Sequence, residues 1–372
     1  MSLHIAGTGW VTPLGCGVDE VWSRLLRGDE AVTQTISGGE NQRSYSGFLV
    51  SNDALKNLPP HPRLRRASAI SRFAAAAGLD AIAQAESKAS KIDMNRVALV
   101  FAASNGGVIY TKRFYDDIVK SGAQSASPLF FPETVFNAPA SHLAAILGIN
   151  GASYTVVGDG AVGILAMNMA SDLLESDSID FCLVVAAEEA DWVLCDAYRK
   201  WRLVKTQPPI ELFCDPPRGT ILSEGAGALL LGREGSVKVN SIDDGGNFSH
   251  QREATDLVDR ILHDLRSEPA FLIASANGTF VDLAERTAIQ KQMPTSIVYS
   301  PKAALGESVG ASAIWQVIIA AQALGKKRLP PMLRACEQSG LQFATNSIDI
   351  GSSAIVLSCG LNQQAAGVRL SN

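Results

Sequence analysis

The 372-residue sequence predicts an α/β fold. Two observations carry this. Short apolar runs bounded by polar or turn residues alternate with long alanine-rich amphipathic runs. The apolar runs are apolar on both faces, as in the buried strands of mainly parallel sheets. The two parts of the chain also have similar content, although no direct sequence repeat is visible.

Strands are predicted first at Leu3–Ala6, Val97–Ala102, Tyr154–Val157 and Phe181–Ala187, with helices at Ser68–Glu86 and Ala161–Leu174 and, further along the chain, at Ala311–Leu324. A second series begins near Val237. It runs as a strand (Val237–Ile242), a helix (Ala254–Leu265), strands at Phe271–Ala274 and Ser296–Tyr299, a helix, and a final strand at Ser353–Leu357. The Pro-rich, charged stretch Tyr198–Gly219 is predicted to be a surface excursion between strands.

Composition excludes several functions. Hydrophobic residues make up 47% and charged residues 19%, which rules out disorder. The net charge of −5 disfavours nucleic acid and anionic membrane surfaces as partners. No apolar stretch reaches the ~20 residues of a membrane span. The N-terminus has no Lys or Arg before Arg24, unlike a signal peptide. The six cysteines, Cys16, Cys182, Cys195, Cys214, Cys336 and Cys359, form no Cys-x-x-Cys pair. They are expected to be reduced thiols, mostly buried, in a cytoplasmic protein. No metal-ligand pattern is visible.

Gly158-Asp159-Gly160-Ala161-Val162-Gly163 matches G-x-G-x-x-G between a predicted strand and helix. Glu188 and Glu189 follow at the spacing of a ribose-binding acid. This leaves open a dinucleotide-binding oxidoreductase using Gly158, Gly160 and Gly163. Against it, Asp159 would place a carboxylate beside a pyrophosphate.

Six stretches in order resemble the β-ketoacyl synthases of the thiolase fold. They are Ile5–Gly15, the run from Arg65-Arg66 into the following helix, Ser127–Val157, Asp215–Leu231, Ser300–Leu324 and Asn346–Leu357. The resemblance implies a thiolase-like five-layer αβαβα sandwich of two similar halves, 1–235 and 236–372, and a dimer. It also implies a Cys nucleophile at a helix start, where the helix end stabilises the thiolate, and two His that promote decarboxylation of the extender unit.

None of the three stands here. The Cys position falls on Gly160. Asn277 precedes Gly278-Thr279 where a His-Gly-Thr motif is usual, and Glu307 follows the glycine of the lysine loop where the second His is usual. Gly160 cannot form an acyl-enzyme, Asn277 does not titrate near neutrality, and an anionic Glu307 would repel an enolate.

The resemblance therefore implies a subunit that is not an enzyme by itself. It is a chain-length factor that pairs with a Cys-containing ketosynthase and shapes its acyl tunnel in polyketide, aryl polyene or fatty-acid-type biosynthesis. It would bind no cofactor, and substrate would arrive on the phosphopantetheine of an acyl carrier protein. A stand-alone acyl transferase or hydrolase with a pocket formed by Asp159, Asn277 and Glu307 is the other reading.

Further pocket candidates are Lys302, paired to Glu307, and Ile350-Gly351, where the family often has a gating Phe. Asp159 is expected to cap the following helix, Glu224 to bond backbone amides, and Asp282 and Glu285 to form surface or local ion pairs. The groups Arg63, Arg65, Arg66, Arg72 and Arg199, Lys200, Arg202, Lys205 are expected to be solvated faces, the first with acyl carrier protein as its alternative partner.

Overall fold

The computed structural model describes residues 2–39, 42–65, 67–87, 91–266, 270–345 and 350–372. Ten strands carry the architecture: β1 Leu3–Thr12, β2 Val97–Ala103, β3 Ser153–Val157, β4 Phe181–Glu188, β5 Gly225–Gly232, β6 Val237–Asn247, β7 Ala270–Ile273, β8 Ile297–Tyr299, β9 Ser353–Cys359 and β10 Gln364–Ser371. The helices are α1 Val18–Leu26, α2 Ala69–Glu86, α3 Val108–Ser121, α4 Ala138–Leu147, α5 Val162–Leu173, α6 Trp192–Lys200, α7 Glu253–Leu265, α8 Phe280–Gln292 and α9 Ser312–Lys326.

The strand order is β3-β2-β4-β5-β1 in the first series and β8-β7-β9-β10-β6 in the second. The same order is thus used twice, and antiparallel pairing of β1 with β6 joins the two sheets. Short strands at Gly15–Cys16 and Gln342–Phe343 complete the twelve, and a separate hairpin pairs Gln34–Gly38 with Arg43–Gly47. The repeat is invisible in the sequence because it lies in connectivity, not in residue identity.

The expectation of mainly parallel sheets needs correction. β2 pairs in parallel with β3 and β4, and β7 with β8 and β9. Every pairing involving β1, β5, β6 or β10 is antiparallel. Both kinds of strand are apolar on both faces here, so composition does not separate them. Ser353–Leu357 is also not the last strand. β9 turns directly into β10, whose Gln364, Gly367 and Arg369 hide the apolar run.

Alternation along β2 shows how the layers form. Val97, Leu99, Phe101 and Ala103 join α2 and α4 in one core, while Ala98, Val100 and Ala102 join α5 and α9 in another. The second core continues through α7 and α8 to the opposite surface. α2 lies so close to β1 that a side chain at Gly9 would collide with the Ala77 carbonyl, which explains the alanine-rich helix.

The Tyr198–Gly219 stretch is only partly a surface excursion. Tyr198, Ile210, Leu212, Phe213 and Cys214 are buried, and Gly219 N–H donates to the Gly278 carbonyl at 2.7 Å. The cysteines are not all thiols: Cys214 and Cys336 form a disulfide, with Cα atoms 5.3 Å apart. Their 122-residue separation leaves no local signal for this pairing. Cys16, Cys182, Cys195 and Cys359 are free. Among the described residues no helix is long and apolar enough to cross a membrane.

Candidate functional site

Four segments converge beneath α9: the turn after β3 (Gly158–Ala161), the turn after β7 (Ser275–Thr279), the loop Ser300–Ser312, and the turn from β9 to β10 (Ser358–Gln363). Gly160, Asn277 and Glu307 all belong to this group.

Glu307 is its centre. Lys302 Nζ, the Val309 N–H and Ser312 Oγ donate to Glu307 Oε1 at 2.7, 2.8 and 2.7 Å. Asn277 Nδ2 donates to Oε2 at 2.7 Å. The two positions expected for histidines are thus hydrogen-bonded to each other. Glu307 thus pairs with Lys302 and also accepts the Val309 N–H at the turn leading into α9.

The pair is almost dry, with Lys302 and Glu307 side chains 2% and 5% exposed. Burial alone would raise the Glu307 pKa. The Lys302 charge and the bonds from Lys302, Asn277 and Ser312 outweigh it and hold the carboxyl below its ordinary value. Burial also pulls the Lys302 pKa down, against the opposing pull of Glu307.

Gly160 lies against the β9–β10 turn. A Cβ built on it would sit 2.8 Å from Gly360 Cα, closer than side-chain carbons approach backbone. Gly360 is itself confined, because a side chain there would strike the Asp159 carboxylate. The Ser358 hydroxyl donates to Gly160 O at 2.9 Å, and the Cys359 N–H donates to Ser275 Oγ at 2.8 Å. Gly160, Ser275, Lys302, Glu307, Ser312 and Gly360 line a space with no volume that water can enter.

Asp159 does not cap α5, whose start has no side-chain cap. Its Oδ2 instead accepts the Asn362 and Gln363 N–H groups at 2.8 and 3.0 Å, pinning the β9–β10 turn over Gly160. Burial raises its pKa.

The same contacts overturn the dinucleotide reading. The ground before α5 is filled by residues 360–364, and Gln364 Oε1 accepts the Asp159 N–H at 3.1 Å. Glu188 faces no ribose: it accepts the N–H groups of Ser104, Asn105 and Gly106.

Asp282 and Glu285 are buried, not surface ion-pair partners. Asp282 accepts the N–H groups of Phe213, Asn277 and Gly278 at 2.6, 2.7 and 2.9 Å. Glu285 accepts from the Ser275 N–H and hydroxyl and the Ala276 N–H. Burial pushes these two carboxyls up to about 6 and about 7. Glu224 accepts the Val50 and Ala190 N–H groups, as its expected structural role requires.

Ile350 is buried in the core, Gly351 is partly exposed, and neither lines the closed space. Arg63, Arg65, Arg199, Lys200 and Arg202 are exposed, whereas Arg72 is partly buried and Lys205 donates to the Pro209 carbonyl. Arg66 lies outside the described residues, as do residues 346–349 of the last family-like stretch.

Sequence reasoning missed Ser312, Gly360 and Tyr198. Tyr198 is buried, with its phenol close to Asn105 and to Asn362 of the same turn. The one available signal was Gly360 directly after a strand, where glycine often marks close backbone approach.

The Ser312 hydroxyl on a carboxylate looks like half of a nucleophile pair, but no substrate atom fits beside it. Among the described residues no group of three or more His, Cys, Asp or Glu is placed to hold a metal.

The family described as "Beta-ketoacyl synthase, N-terminal domain" matches residues 2–236. The chain belongs to the β-ketoacyl synthase family. A 3-oxoacyl-[acyl-carrier-protein] synthase 2 of Vibrio harveyi is 20% identical over 235 residues, 61% of this chain and 56% of that protein. The chain thus spans about half the length of the first curated relatives it matches.

Two solved structures share the fold. The ishigamide ketosynthase/chain length factor superposes with a TM-score of 0.85 at 17% identity, over 100% of this chain and 99% of that one. The ketosynthase ApeO in complex with its chain length factor ApeC, from Xenorhabdus doucetiae, gives 0.83 at 18% identity, over 100% and 98%.

Proposed function

We propose that this β-ketoacyl synthase family member is a non-condensing subunit of chain-length-factor type. It pairs with a Cys-bearing ketosynthase and shapes the tunnel in which that partner elongates an acyl chain. Substrate would reach the partner on the phosphopantetheine of an acyl carrier protein, in polyketide, aryl polyene or fatty-acid-type synthesis.

One observation carries this most: the closure at Gly160. The space where a nucleophile would stand is occupied by the Gly360 backbone, and Asn277, Glu307 and Lys302 are spent on one another. A filled site also counts against a stand-alone transferase or hydrolase.

The sheet edge adds support for a partner. β3 ends the first sheet with one side unpaired, and its Tyr154 and Val157 are exposed. Tyr115 and Val119 of α3, and Leu129, Phe130, Phe131 and Phe136 of the turn before α4, are also exposed. An open edge strand flanked by exposed aromatics is a liability unless another chain covers it. Two neighbours in fold are named as ketosynthase and chain length factor complexes, which agrees with this assignment.

The test is a tagged pull-down from the native host with intact masses, beside a condensation assay of the purified chain on malonyl- and acyl-carrier proteins. A second synthase-like chain at equal stoichiometry, and no product from this chain alone, is the expected result. Condensation by the isolated chain, or its recovery only as a homodimer, overturns the proposal.

A further inference from the structure

We propose that the Cys214–Cys336 disulfide is a redox-operated clasp that holds the 203–222 segment down over the Asn277 turn. The bridge joins two segments that already touch. The Leu212 N–H donates to the Arg334 carbonyl and the Cys336 N–H donates to the Leu212 carbonyl, both at 2.9 Å. One residue from Cys214, the Phe213 N–H donates to Asp282, the carboxylate that also fixes Asn277 and Gly278. Gly219 N–H closes the other end of the segment on the Gly278 carbonyl. The cross-link therefore connects through one carboxylate to the turn that presents Asn277 to Glu307.

The backbone beside each cysteine is strained. Phe213 and Arg334, neither of them glycine, both have φ of +56°. Such residues persist only where surrounding structure over-determines them, and here the cross-link lies one residue from Phe213 and two from Arg334.

The two cysteine residues differ in access. Cys214 is buried at 7% exposure, whereas Cys336 is half-buried at the rim. A dithiol reductant would attack Cys336 Sγ as a thiolate. The S–S bond breaks, a mixed disulfide forms on Cys336, and Cys214 leaves as a thiolate that takes up a proton. The second thiol of the reductant then displaces Cys336, leaving two protein thiols and one oxidised dithiol. Two electrons and two protons are transferred. A single bridge beside four free cysteines is unlike a disulfide scaffold and fits a bond that is made and broken.

The experiment uses the full chain alone, so its outcome is separate from that of partner pairing. Hydrogen exchange is followed by mass spectrometry before and after dithiothreitol, with intact mass reporting reduction. The expected result is at least tenfold faster exchange in peptides covering 203–222 and 275–279, unchanged exchange in α7, and reversal by oxidised glutathione. The Cys214→Ser/Cys336→Ser variant should reproduce the reduced pattern; if it does not fold, the reagent experiment stands by itself. Unchanged exchange after full reduction, a uniform rise across the chain, a bridge that resists dithiothreitol in the folded protein, or two free thiols in air-purified chain would each overturn the clasp.

Discussion

Replacing Lys302 by Met would leave the Glu307 carboxylate buried with its bonds from Asn277, Val309 and Ser312 but without a counter-ion. At the 2.7 Å separation and an effective dielectric constant of about 20, the gross attraction removed is about 6 kcal/mol. Breaking one side of a buried pair typically costs about 3–5 kcal/mol, and three remaining donors place this case near the lower end.

The pH dependence is more telling than the size. Without Lys302, the Glu307 pKa rises with burial, so the folded state holds a proton that the unfolded state releases. The cost of Lys302→Met, measured against wild type, should therefore shrink as pH falls. Glu307→Gln does the reverse. It removes the main influence holding the Lys302 pKa up, so the folded state sheds a proton that the unfolded state keeps, and its cost should shrink as pH rises.

Urea unfolding followed by tryptophan fluorescence at about pH 6, 7.5 and 9 measures both slopes, each bounded by about 1.4 kcal/mol per pH unit for one proton. The double variant should cost at least about 2 kcal/mol less than the sum of the singles. Additive costs with flat pH profiles would refute a coupled, buried ion pair.

Gly160→Ala should destabilise by about 1–3 kcal/mol through overpacking against Gly360, and Gly160→Cys should do so without gaining reactivity toward acylating reagents; urea melts and mass spectrometry check both. Thermal stability of the wild type should fall as pH rises from about 5 to 8. Burial raises Asp282 to about 6, Glu189, Glu224 and Glu285 to about 7 and Glu188 to about 8, so the folded chain holds protons the unfolded chain has lost. A melting temperature that climbs over that range would contradict this. Tyr154→Lys should change stability of the isolated chain by no more than about 0.5 kcal/mol, since the residue is exposed, yet abolish recovery of a partner in pull-downs.

Periodicity located most of the strands and the helices α2, α5, α7 and α9, because runs apolar on both faces, and amphipathic alanine-rich runs, have few other uses. It placed α5 within a residue at each end and β2 with one residue short. It did not find α3, whose outward Tyr115 and Val119 blur the apolar face, or β10, whose glycine and arginine break the run.

The candidate site divides the same way. That Gly160, Asn277 and Glu307 carry neither a thiol nor an imidazole follows from residue identity, because side-chain chemistry is local. That Lys302 and Glu307 carry opposite charge five residues apart is equally legible.

What closes the site was settled only in three dimensions. Gly360 lies two hundred residues from Gly160, as the residue numbers show, and nothing in either neighbourhood specifies the other. Asp159 reads locally as a helix cap but finds stronger use on the backbone amides of Asn362 and Gln363. Asp282 and Glu285 read as surface charges because burial is a property of the packed layers, and only the fold brings backbone N–H groups to meet them. The Cys214–Cys336 bridge has the same cause. Sequence determined which groups could react; long-range packing decided which partners they met and whether any space remained between them.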